Sequence, residues 1–168
     1  MDQKFEIEQF FFDKPALVRL AELASFYENP CCLCTPAVGQ ELTDRGRNVR
    51  VLDIDERFAY LPGYRRFDLY EPEDFGEKYD LIICDAPLFT IPMSQLFDVI
   101  KMLSQNDYTQ QMIVTYKTEF APAILEAFTP FGLESTGYYP PYLIDMSQRI
   151  VEFFGNLGPE RHAWLSRE

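Results

Sequence analysis

The chain has 168 residues, of which 47% are hydrophobic, enough to bury a sizeable core and too apolar for a disordered chain. Fifteen Lys and Arg against 27 Asp and Glu leave a net charge of −12, a field that repels phosphate backbones, disfavours extensive nucleic-acid binding and suits a basic partner. No apolar run approaches the roughly 20 residues of a membrane span, and Met1-Asp2-Gln3-Lys4-Phe5-Glu6 lacks the basic start and apolar stretch of a signal peptide, so a cytoplasmic protein with no membrane role is expected.

After the Phe10-Phe11-Phe12 run, which reads as a hydrophobic staple, Asp13 is a helix cap with Pro15 in the first turn. Leu17, Leu20, Ala21 and Ala24 recur at helical spacing, and the helix is expected to run to about Glu28, where Asn29-Pro30 ends it. Cys31 to Thr35 reads as a first strand. Thr35-Pro36-Ala37-Val38-Gly39 then turns into a short helix that stops near Gly46. Such a turn is where nucleotide-type cofactors sit on a helix N-terminus, although a single glycine stands where three are usual. Val49 to Asp55 is the second strand and ends in two acids. One of Asp53 and Asp55 can accept cofactor ribose hydroxyls while the other caps a helix beginning near Glu56. Tyr64 to Tyr70 reads as a third, edge strand, with Asp68 just past Phe67.

The stretch Tyr79 to Phe89 carries the chemistry. Leu81-Ile82-Ile83-Cys84 is a short, unbroken apolar run, the signature of a strand buried on both faces of a parallel sheet. It stops at Asp85-Ala86-Pro87, because Pro87 has no N–H for a ladder. A carboxylate therefore stands just past the carboxyl end of a buried strand, where ligands bind in open α/β sheets. Beyond Pro92, Leu96, Val99, Ile100 and Leu103 mark a helix, and Met112 to Tyr116 a fifth strand. Thr118 is expected to cap the next helix, with Phe120, Ile124, Ala127 and Phe128 inward and Gly132 as its stop. Leu133 to Tyr139 and Arg149 to Phe154 read as a closing strand pair. Residues 1–157 are assigned to one domain that includes the N-terminal helix, and 158–168 to a polar tail in which Trp164 docks on the body. Cys31, Cys32, Cys34 and Cys84 lack zinc-site spacing and His162 is the only histidine, so no metal is expected and the thiols read as buried and reduced.

Taken in order, these stretches resemble a known family. Gln9-Phe10-Phe11-Phe12 is similar to the Gln-Phe-Trp-Tyr opening of the N6-adenine methyltransferase-like family, which includes the elongation factor 1A lysine methyltransferase. Thr35-Pro36-Ala37-Val38-Gly39-Gln40-Glu41-Leu42 resembles its glycine-poor Ala-Pro-Ser-Val-x-Gln-Lys-Leu turn. Asp53-Ile54-Asp55-Glu56-Arg57-Phe58 resembles Glu-Tyr-Asp-Lys-Arg-Phe, and Phe67-Asp68-Leu69-Tyr70 resembles Phe-Tyr-Asp-Tyr. Tyr79-Asp80-Leu81-Ile82-Ile83-Cys84-Asp85-Ala86-Pro87-Leu88 resembles the Phe-Asp-x-Ile-x-Ala-Asp-Pro-Pro-Tyr signature. The matches run from about Gln9 to Phe154.

The resemblance implies an α/β, Rossmann-like class I methyltransferase: a mostly parallel sheet, helices on both faces and an antiparallel C-terminal strand pair. It implies S-adenosyl-L-methionine as cofactor, with Pro36, Ala37 and Val38 around its methionine part, Asp53 on the ribose and Asp68 near the adenine. Asp85, with Pro87 and an aromatic ring, would face the amine that takes the methyl group. Two positions depart from the signature, Ala86 for the first proline and Leu88 for the aromatic. The ring then falls to Phe89, Tyr138, Tyr139 or Tyr142, or the site is impaired. Three functions are compatible with these residues: N-methylation of a protein lysine, which the acidic charge suits; N6-methylation of adenine in DNA or RNA, which the charge disfavours; and a catalytically impaired fold serving as an interaction module.

Overall fold

The computed structural model describes residues 10–88, 90–144 and 150–168. Gln9, Phe89 and Arg149, each part of a stretch singled out above, lie outside the described residues. The chain alternates strands and helices: α1 (Lys14–Ala24), β1 (Pro30–Leu33), α2 (Pro36–Asp44), β2 (Arg50–Asp53), β3 (Tyr64–Arg66), β4 (Leu81–Cys84), α3 (Met93–Leu103), β5 (Met112–Lys117), α4 (Ala121–Ala127), β6 (Glu134–Tyr138), β7 (Val151–Gly155) and α5 (Pro159–Ser166). The seven strands form one sheet in the order β3-β2-β1-β4-β5-β7-β6. Neighbours from β3 through β5 pair in parallel. β7 runs antiparallel to both β5 and β6, so β6 again points the same way as β5.

The alternation of the strands divides the core into two layers. Cys32, Leu81, Ile83, Ile113 and Phe153 face α1, α2 and α5. Cys31, Leu33, Ile82, Cys84, Val114 and Phe154 face α3 and α4. Every residue of β1 and β4 is buried, which accounts for their unbroken apolar reading: both faces are covered by helices. Gly39 of α2 sits so close to β2 that a Cβ there would lie 2.3 Å from a Val51 methyl.

Several boundaries differ from expectation for local reasons. α1 stops at Ala24, where Arg47 donates to the carbonyls of Ala24 and Tyr27 and satisfies the helix end. Asp55 caps a single 3₁₀ turn, Glu56–Phe58, and not an α-helix. Thr118 lies within the 3₁₀ turn Thr118–Phe120 and gives no side-chain cap to α4. That turn breaks the helical phase, so Phe120 points outward, 47% exposed, with Lys117 Nζ 5.6 Å from its ring centre. The stretch 158–168, expected as a tail, contains α5, whose Leu165 is fully buried and whose Trp164 packs on the core beside α1. His162 fastens its start: Nε2 accepts the Leu157 N–H at 3.0 Å.

Candidate active site

The sheet order brings the sequence-predicted acids into one row. β1 pairs with β2 on one side and β4 on the other, and the chain's path reverses direction between β1 and β4. That reversal is the switch point where a cleft opens at the carboxyl ends of a parallel sheet. Along this rim stand Asp68 after β3, Asp53 ending β2, Cys34 after β1, Asp85 after β4 and Thr115 in β5. The span from β3 to β4 is roughly 14 Å at the usual strand spacing.

Asp53 is 2% exposed. Its Oδ1 accepts the Asp55 N–H at 2.7 Å, and Oδ2 has no hydrogen-bond partner among the described residues. No fully buried side-chain nitrogen or oxygen among the described residues lacks a partner, so Oδ2 keeps a trace of exposure at the carboxyl end of β2. Burial pushes the Asp53 carboxyl up to about 7, against the lowering effect of the Asp55 N–H. Asp55 turns away into a bidentate pair with Arg57 and caps its own turn. Of the two acids, Asp53 alone therefore has an oxygen to offer a ligand.

Asp85 is built the same way at the end of β4, with β1 between the two acids. Its backbone N–H continues the β1 ladder, donating to Leu33 at 3.2 Å. Two hydroxyls converge on one side-chain oxygen: Thr115 Oγ1 donates to Oδ1 at 2.5 Å and Tyr142 donates to it at 3.0 Å. Oδ2 has no hydrogen-bond partner among the described residues, and Asp85 is only partly buried at the carboxyl end of β4. Burial raises the Asp85 carboxyl to about 7, the two hydroxyls oppose that rise, and the charge of Asp53 adds to it. Between the acids, Cys34 holds φ at 57°, in the left-handed region, where a non-glycine residue is strained. Unlike Cys31, Cys32 and Cys84, it is only partly buried. Burial, then Asp53 and Asp85, push its thiol well above the ordinary range, so it stays neutral and inert.

The remaining expected residues have mixed placements. Pro36 opens α2 at the rim and Ala37 is half-buried there, but the Val38 side chain is fully buried in the core. Thr35 spends its hydroxyl on the Ile83 carbonyl at 3.1 Å, leaving the first turn of α2 without a side-chain cap. Asp68 closes its own turn, accepting the Tyr70 N–H at 2.9 Å. The Pro87 carbonyl is occupied by the Thr90 and Ile91 N–H groups, so Pro87 shapes the loop. Tyr138 is stacked on Phe153 in the core, which removes it as a candidate ring, whereas Tyr142 touches Asp85. Sequence reasoning missed Thr115, whose one signal is a hydroxyl within the otherwise apolar run Met112-Ile113-Val114. It also gave Tyr142 no preference, although Pro140-Pro141 before it marks a backbone held extended. A cleft lined by Arg47, Arg50 and Glu77 lies at the opposite end of the sheet, where Arg50 and Glu77 are already paired with each other. Among the described residues no helix is long and apolar enough to cross a membrane.

The donor set fits a ligand with vicinal hydroxyls and a cation: two carboxylates on one rim, each with one oxygen held by the protein and one unpartnered. The fold is shared with the N-methyltransferase NodS of Bradyrhizobium japonicum, solved with S-adenosyl-L-homocysteine (TM-score 0.56, 14% identity, 94% of each chain covered). It is shared with the ribosomal protein L11 methylase of Lactobacillus delbrueckii (TM-score 0.53, 17% identity, 92% of this chain and 80% of that one). It is shared too with human N-acetylserotonin methyltransferase, solved with SAM, of which this chain spans half the length (TM-score 0.53, 12% identity, 83% of this chain and 50% of that one). No curated protein matches the sequence. The profile of the family described as "Probable N6-adenine methyltransferase" matches residues 3–156. The chain belongs to that family, and its fold is that of the class I SAM-dependent methyltransferases.

Proposed function

We propose that the protein is an S-adenosyl-L-methionine-dependent N-methyltransferase whose acceptor is a protein lysine amine. The observation that carries this reading is the Asp85 carboxylate at the carboxyl end of β4, with Oδ1 held by Thr115 and Tyr142 and Oδ2 without a hydrogen-bond partner among the described residues. When bound, the cofactor supplies an electrophilic methyl group on a sulfonium. Asp53 Oδ2 would take the ribose hydroxyls, and the Ala37 N–H in the first turn of α2 would take the carboxylate of the methionine part. Asp85 Oδ2 would accept an N–H of the acceptor amine, aiming its lone pair and balancing the positive charge that methylation leaves on nitrogen.

Two features support a protein acceptor. The net charge of −12 attracts a basic polypeptide and repels a phosphate backbone. The loops following β5 and β6 expose apolar side chains, Phe120, Leu143 and Ile150, and the Thr118 N–H joins these loops by donating to the Ile150 carbonyl at 2.7 Å. Apolar groups beside the acceptor favour the neutral amine, lowering its pKa from about 10.4. The family's description favours an alternative, N6-methylation of adenine, and one experiment separates the two. With tritiated cofactor in a cell lysate, label is expected in the protein fraction and, after hydrolysis, in methyl-lysine. Label in nucleic acid alone contradicts the lysine reading.

A further inference from the structure

In the family signature, the loop after the acceptor carboxylate is stiffened by a proline and ends in an aromatic ring. Here Ala86 and Leu88 stand at those positions. The loop therefore lacks that proline and that ring beside Asp85, and two other elements hold its side chain. Thr115 reaches Oδ1 from β5 at 2.5 Å. Tyr142 reaches the same oxygen at 3.0 Å from the connection between β6 and β7.

The backbone at Tyr142 is itself strapped down. Phe12 and Tyr142 form an antiparallel bridge. On either side of it, the Asp13 N–H donates to Pro141 at 3.0 Å and the Leu143 N–H donates to Phe11 at 2.8 Å. The rings of Phe12 and Tyr142 lie 4.9 Å apart, and Phe12, 3% exposed, also packs on Phe153 at 5.9 Å. Burial and the neighbouring carboxylate push the Tyr142 phenol well above its ordinary value, so it remains a donor wherever the protein is folded.

We infer that Tyr142 is a positioning residue: with Thr115 it fixes the rotamer of Asp85 so that only Oδ2 faces the acceptor nitrogen, and the strap between residues 11–13 and 141–143 holds it there. The Phe-Phe-Phe opening thus acts on the site through Tyr142. This rests on reading Asp85 as the carboxylate that orients the acceptor.

The test compares wild type with Tyr142→Phe, which keeps the ring and removes the hydroxyl, and with Thr115→Val, which removes the other donor. Carboxyl-carbon NMR follows the titration of Asp85, transfer of tritiated methyl to the lysate protein fraction gives the pH profile, and calorimetry gives cofactor affinity. Each hydroxyl lowers the Asp85 pKa, so in each variant its midpoint should rise above the wild-type value near 7. The acid limb of transfer should move with it, turnover should fall ~10-fold and cofactor affinity should hold. Phe12→Leu, with the hydroxyl intact and the strap loosened, should give a smaller shift in the same direction. Variants that keep the wild-type midpoint and acid limb overturn the inference, whatever happens to their thermal stability. If Tyr142→Phe does not fold, Thr115→Val carries the same comparison on the same oxygen. A midpoint that moves in a protein with no methyl transfer supports the positioning of Asp85 and counts against the acceptor role assigned to it.

Discussion

Asp53 and Asp85 solve the same physical problem at the ends of two strands that flank β1. A carboxylate needs enough desolvation to act strongly on a ligand and enough partners to be tolerated at a sheet end. Each meets this with one oxygen tied to the protein and one left over. Loss of the Asp85 charge should spare cofactor binding and cost turnover: Asp85→Asn is expected to lower transfer by ~10²-fold or more, measured as initial rate at saturating cofactor. Asp53→Ala should weaken cofactor binding by about 1–3 kcal/mol through loss of charge-assisted hydrogen bonds, and unchanged affinity by calorimetry would remove it from the site. The two acids were legible because each ends an apolar strand-like run. The left-handed Cys34 between them was not, since nothing in Cys-Thr-Pro demands a positive φ there. Thr115 was hidden for a related reason: a single hydroxyl in a buried strand reads as packing until the neighbouring strand's register is known.

At the level of elements, strands and long amphipathic helices were readable from period and punctuation, while short 3₁₀ turns were not. Glu56–Phe58 and Thr118–Phe120 each occupy three residues, too few to show a period. They shift the phase of the residues beyond them, and the second of them leaves Phe120 outside and not in. α2 illustrates a constraint that a single sequence hides. Its only glycine is needed because the helix lies directly on β2, and this contact sets where Pro36 and Ala37 meet the rim. Gly39→Ala places a methyl 2.3 Å from Val51 Cγ2. The clash should destabilise the protein by about 1–3 kcal/mol and weaken cofactor binding as the first turn of α2 shifts. Urea unfolding and calorimetry read the two effects separately. A neutral outcome in both would mean that α2 does not fix the geometry of the rim.

Across the whole molecule, the sheet order and two-layer core arise from ordinary α/β packing, and the site arises from the single reversal between β1 and β4. The closing pair β6 and β7 does more than finish the sheet, because their connection carries Tyr142 back to the rim. The acidity of the chain also has a consequence for stability. Asp53 and Asp85 titrate near 7 in the folded chain and near 3.9 when unfolded. Between those values the folded chain holds protons that the unfolded chain has released, so stability should fall as pH climbs from about 4 to about 7 and level off above that. Asp53→Asn should flatten part of that slope in thermal melts, and bound cofactor should counteract it by favouring the ionised acids. The decisive measurement is calorimetric titration of the wild-type protein with S-adenosyl-L-homocysteine, repeated on Asp53→Ala. Saturable one-to-one binding that the substitution weakens is the predicted result. No heat at millimolar ligand, or equal affinity in both proteins, would contradict a cofactor lying across this rim.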